Sequence, residues 1–236
     1  MRRMLLYLIP LPFFVFFAGH PLHAQNNDRV HPTCPMDIVI AIDFSGSERD
    51  YLDEIRTALL AITGPFELHE EHMKIGIITF NRGAEAVLPL CGDTDKMNEV
   101  IEELRIPRMV YATDIHAAIE LAYEEFRLRS APGVRKYFVL ISDGDPHAHM
   151  RGHGFQADLA NVERLKAGDL DMEVDPVHVF TLYTGRLSPY RDRFSEDIRK
   201  ASINHMKAMA SDKDSFFWYE QYPLLVDIFE RIGNCL

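Results

Sequence analysis

Tryptophan occurs once and cysteine three times in 236 residues. So few cysteines exclude a disulfide-dense miniature scaffold. Clusters of lysine or arginine are also missing. Twenty-five basic residues face 36 acidic ones, a formal net charge of −11, which argues against a nucleic-acid partner because phosphate-backbone binding rests on such clusters. The chain has no G-x-S-x-G nucleophile elbow, no internal repeat and no low-complexity tract. Beyond its first residues it has no apolar run long enough to cross a bilayer, which takes about 20 residues. What remains is an ordinary globular composition, 47% hydrophobic and 26% charged, with enough apolar surface to bury a substantial core.

The exception is at the start. Arg2 and Arg3 precede an apolar stretch from Leu5 to Ala18, His20 and Pro21 break it, and "LHAQ" offers a cleavage point after Ala24. This is the pattern of a secretory signal peptide over 1–24, followed by a polar leader over 25–33. Export to a periplasm or the extracellular space favours cysteine oxidation. Cys34 stands just before the first strand signal and Cys235 is the penultimate residue, so a bridge between them is expected to staple the two ends of the domain. Cys91 is then left over, either as a small buried side chain or for pairing with another molecule; burial is the expectation.

From residue 34 onward, strand and helix signals alternate. "DIVIAID" (37–43), "KIGIITF" (74–80), "KYFVLIS" (136–142) and "VHVFTLY" (177–183) are near-continuous apolar runs, as expected of strands covered on both faces. "AEAVLPL" (84–90) follows the second run across Asn81-Arg82-Gly83 and reads as the other arm of a hairpin, with Pro89 suiting an edge strand. "SFFWYE" (215–220) reads as a short last strand. Helical periodicity marks 48–63, 93–104, 113–130, 156–167, 196–210 and 224–232. The implied fold is α/β: a doubly wound, mostly parallel sheet with one antiparallel edge strand and helices on both faces.

In such a sheet, ligands bind outside the carboxyl ends of the strands. The polar residues leaving those ends are Asp43, Ser45 and Ser47 after the first run, Thr113 and Asp114 before the central helix, and Asp143 and Asp145 after "FVLIS". All are oxygen donors, the ligand type that hard divalent cations prefer. The residues taken singly also fit other roles. Ser45 and Ser47 are good helix caps. Ser45 as a nucleophile lacks an adjacent base, and Asp43 as an acyl-phosphate former lacks the second acid two residues on.

Taken together, Asp-x-Ser-x-Ser at 43–47, "KIGIITFN", "ATDIHAAIELA" and "FVLISDGDP" resemble the von Willebrand factor type A family, which includes the integrin I domains, over about residues 35–235. The resemblance implies a metal-ion-dependent adhesion site. Asp43, Ser45, Ser47, Thr113 and Asp143 would hold Mg2+, with Mn2+ or Ca2+ as alternatives, and an Asp or Glu of a partner protein would complete the shell. It also implies, for some members, a shift of the last helix, here Leu224 to Ile232. Many members carry glycines just before the threonine where this chain has Tyr111-Ala112, a stiffer pair.

Tyr111, Asp114, Asp145 and His147 lie where a partner would touch the site. His147, His149 and His153 sit in a glycine-containing stretch without zinc-site spacing and are read as a solvated loop. His116 is read as structural, and Phe216, Phe217 and Trp218, on the short last strand, as core. The function expected is a secreted, metal-dependent adhesion or interaction module binding a carboxylate-bearing protein. A scaffold or assembly subunit in which the cation only stabilises the loops is the alternative, and a metal-assisted hydrolase comes third.

Overall fold

The computed structural model describes residues 32–107, 112–144, 154–169, 174–185 and 196–235. The signal-peptide stretch, nearly all of the 25–33 leader, and Tyr111, Asp145, His147, His149 and His153 lie outside these. Six strands form one sheet in the order β3-β2-β1-β4-β5-β6. They are β1 (Met36–Asp43), β2 (Met73–Phe80), β3 (Ala84–Cys91), β4 (Arg135–Ser142), β5 (Val177–Tyr183) and β6 (Phe216–Trp218). β1 runs parallel to both β2 and β4, and only the β2–β3 pair is antiparallel. The edge hairpin expected from Asn81-Arg82-Gly83 is therefore present.

Every residue of β1 is buried, and the pleat explains why the run is continuously apolar. Ile38, Ile40 and Ile42 point into one core with residues of α1 (Leu52–Thr63) and α6 (Tyr222–Gly233), whereas Val39 and Ala41 point into a second core with α3 (Ile115–Arg129), α4 (Phe155–Ala167) and α5 (Glu196–Met209). The amphipathic α2 (Thr94–Glu103) adds Met97 and Ile101 to the first core. Two separate layers of helices thus hold the strand ends in place.

Three local expectations are corrected. The segment expected as one helix from Glu48 starts as a 3-10 turn, Gly46–Tyr51, before α1, because Asp43 draws the backbone of Ser45 back towards it. Cys91 is half-buried at the end of β3, not enclosed, because the edge strand has a neighbouring strand on one side only and its register shifts near Pro89. In β6, Phe217 is core but Phe216 and Trp218 are half-buried, again at an edge. At the amino ends of the strands, Cys34 and Cys235 form the expected disulfide, with Cα atoms 5.5 Å apart. Thr33 and Cys34 also donate backbone hydrogen bonds to the Gly233 carbonyl.

Candidate metal centre

Asp43 is the last residue of β1 and is 1% exposed. Its carboxylate is held on both oxygens. Oδ1 accepts the Ser45 amide at 2.8 Å, and Oδ2 accepts the Ser142 hydroxyl at 2.7 Å from the end of β4. The Ser142 hydroxyl oxygen in turn accepts the Gly144 amide at 2.9 Å. The local sequence Asp-Phe-Ser thus folds back on itself and presents Ser45 and Ser47 as a pair, their hydroxyl oxygens 2.9 Å apart. The Phe44 amide donates to the Phe80 carbonyl at 2.7 Å, tying the turn to the end of β2.

Two further loops leave the same edge of the sheet. Thr113 is buried in the approach to α3. Its neighbour Asp114 fixes that approach: the Asp114 amide donates to the Asn81 carbonyl at 2.7 Å, and the Asp114 carboxylate caps α3 by accepting the Ala117 amide at 3.0 Å. Asp143 follows β4 and is buried. Gly144 takes φ 63°, the left-handed region that glycine enters freely, and a Cβ there would stand 2.8 Å from Met206 Cγ of α5. Only glycine lets α5 pack onto the Asp143 loop.

The structure also brings in a residue that sequence reasoning missed. Glu48, in the 3-10 turn, is 1% exposed. Its Oε1 accepts the Thr184 hydroxyl at 2.7 Å from just beyond β5, while Oε2 has no hydrogen-bond partner among the described residues. Asp43, Glu48 and Asp143 each place a carboxylate oxygen within 4.8 Å of the others. A glutamate one position after Asp-x-Ser-x-Ser reads as an ordinary first-turn helix residue; its only sequence signal was that it sits three residues from Ser45.

Electrostatics at the cluster run one way. Burial, and after it the charge of Asp143, pushes the Asp43 carboxyl up to about 7, and the serine donors offset this only in part. Burial, then Asp143 and Asp43, raise Glu48 well above its ordinary value. Buried carboxylates that face each other with an orphaned acceptor are costly unless something positive joins them. Carboxylate and hydroxyl oxygens are the donor set of a hard divalent cation, so the residues fit the metal that the sequence motif implies. A second group, His69, Glu71 and His72, lies exposed by the hairpin preceding β2, away from this edge.

A family model described as the von Willebrand factor type A domain matches residues 37–231. Solved structures share the fold at low identity. The BatB protein of Bacteroides thetaiotaomicron is 17% identical with a TM-score of 0.59, covering 84% of this chain and 98% of its own. Manganese-loaded TRAP from Plasmodium vivax is 13% identical with a TM-score of 0.57, covering 83% and 73% respectively. Proximal thread matrix protein 1 of the mussel byssus, solved with its MIDAS motif occupied by zinc, is 13% identical with a TM-score of 0.57, covering 85% and 48%.

Proposed function

Since the chain belongs to the von Willebrand factor type A family, we propose that its carboxyl-end cluster is a divalent-cation socket through which it binds a partner protein. Asp43, Ser45, Ser47, Thr113 and Asp143 would hold the ion, with Mg2+ favoured and Mn2+ or Ca2+ as alternatives. Similar folds carry manganese or zinc, the zinc at the corresponding motif, so the class of ligand rests on more than the oxygen donors alone. When bound, the cation supplies a positive point that attracts an Asp or Glu side chain of the partner. This chain's own residues do the rest. Ser142 and the Ser45 amide orient Asp43, Asp114 sets the Thr113 loop, and Gly144 lets α5 close on Asp143. The signal-like segment over 1–24 supports export, placing the partner at a surface or in a matrix.

The observation that carries this reading is the pair of buried, facing carboxylates Asp43 and Asp143 beside the Ser45–Ser47 hydroxyl pair. Affinity capture from the native surroundings, run in Mg2+ and in EDTA, tests it. A carboxylate-dependent partner is expected in Mg2+ only, and Asp43→Ala is expected to lose it while keeping a folded circular-dichroism spectrum. Equal capture with and without EDTA would refute the proposal.

A further inference from the structure

The five residues of the sequence motif leave one enclosed acid of the cluster unexplained. Glu48 is fully enclosed. Thr184 holds one of its oxygens, and Thr184 is itself anchored, its amide donating to the Ser142 carbonyl at 3.1 Å. The side chain is therefore fixed by the ends of β4 and β5, with Oε2 unpartnered among the described residues. Its charged neighbours are Asp43 and Asp143. Burying an acceptor without a partner, next to two like charges, costs free energy that no packing role recovers, since a glutamine would fill the same space without the charge.

We propose that Glu48 is a third carboxylate of the cation socket and that it weakens the socket for an outside carboxylate. The inference rests on the cation reading above and extends it to specificity. Two carboxylates and a divalent ion sum to zero charge, and a third brings the loaded site to −1. A site of that charge keeps its ion when no partner is present and admits an anionic partner less readily. Glu48 thus sets the balance between retaining metal and bridging to a partner. A proton shared among the carboxylates would also quench their repulsion, but it would give Glu48 no part in metal affinity.

The test uses the full mature chain, stripped with EDTA and titrated with Mn2+, a hard paramagnetic probe followed by electron paramagnetic resonance. Glu48→Gln is expected to weaken Mn2+ about tenfold or more, the scale typical of losing a residue that holds or orients a metal. It is also expected to leave the metal-free melting temperature unchanged or higher. Once loaded, the variant should bind acetate more tightly than the parent, so metal and carboxylate affinities move in opposite directions. Thr184→Val, which frees Glu48 without removing it, should give a smaller loss of Mn2+ affinity. Unchanged Mn2+ affinity in both variants, with a lower melting temperature that metal does not alter, would make Glu48 purely structural and overturn this inference alone. No Mn2+ binding by the parent chain would overturn the cation reading beneath it.

Discussion

At the amino ends of the strands, buried charges of both signs lie together. Lys136 is 2% exposed, pairs with Asp175 at 2.7 Å, and donates to the carbonyls of Ala131 and Val134 at 3.1 and 2.9 Å. The enclosed Asp37, pushed up by burial, is drawn back in part by Lys74 and Lys136. At the carboxyl ends, Asp43 and Glu48 meet hydroxyl and amide donors and each other's charge. The two ends are built on the same strands, with the same helices beside them. One sets lysines beside its buried acid, although Asp37 Oδ2 keeps no hydrogen-bond partner among the described residues, and the other sets buried acids against one another. A fold can therefore separate the end that secures it from the end proposed to bind.

Three measurements would break or sharpen this division. The largest effect is expected at the secured end. The Cys34–Cys235 bridge spans 201 residues, so closing it restricts the unfolded chain by up to about 5 kcal/mol in the chain-entropy account. The double variant Cys34→Ser/Cys235→Ser should lose much of that in urea denaturation, yet hold Mn2+ within about twofold of the parent. A large fall in metal affinity would mean that the two ends are coupled.

The next effect belongs to α5, which closes over the Asp143–Gly144 loop. His205 is enclosed there, its ring 4.2 Å from that of Phe155, and burial presses its pKa down to about 4 from 6.5. Asp158 Oδ2 lies 3.5 Å from Nε2 but makes no hydrogen bond with it, and burial prevails. A histidine with a depressed folded pKa prefers the neutral form in the fold. Its contribution is complete above 6.5 and is lost as pH falls towards 4, by about 3 kcal/mol at most. In EDTA, where no cation masks the change, the urea midpoint of the parent should fall more between pH 7 and pH 5 than that of His205→Gln. Parallel profiles would remove α5 from the acid sensitivity of the binding end.

The smallest effect is expected at Asp114. Removing its cap on α3 should cost about 1 kcal/mol. Because Thr113 is its neighbour, Asp114→Ala should also loosen Mn2+ by a few-fold. A stability loss with no change in Mn2+ binding would show that the Thr113 loop is set by the Asn81 contact alone.

Much of this was legible in the sequence, for physical reasons. Strands covered on both faces must be apolar throughout, so "DIVIAID" and "KYFVLIS" announced a buried sheet, and the order of elements then placed Asp43, Thr113 and Asp143 at one edge. The Cys34–Cys235 bridge followed from position. What escaped was set by the edges and the turns. Cys91, Phe216 and Trp218 look like core residues, but their exposure depends on which strands end the sheet. Glu48 looks like a solvated helix residue, because a one-dimensional pattern does not tell a 3-10 turn aimed inward from a first helical turn aimed outward. Thr184, which reveals that turn by holding Glu48, is 136 residues away in sequence.

One consequence of β1 concerns force. Cys34, at the staple, stands two residues before this strand, and Asp43, at the proposed socket, ends it. A partner pulling on the socket against a tether at either terminus would load β1 along its length, over roughly 26 Å at the usual rise. The strand is flanked on both sides by parallel neighbours in continuous register, so the load meets their hydrogen bonds in shear, where many must fail together, rather than peeling them one by one. The disulfide carries tension between the termini around the fold. A domain wired in this way would transmit a pull from partner to tether through a strand paired on both sides.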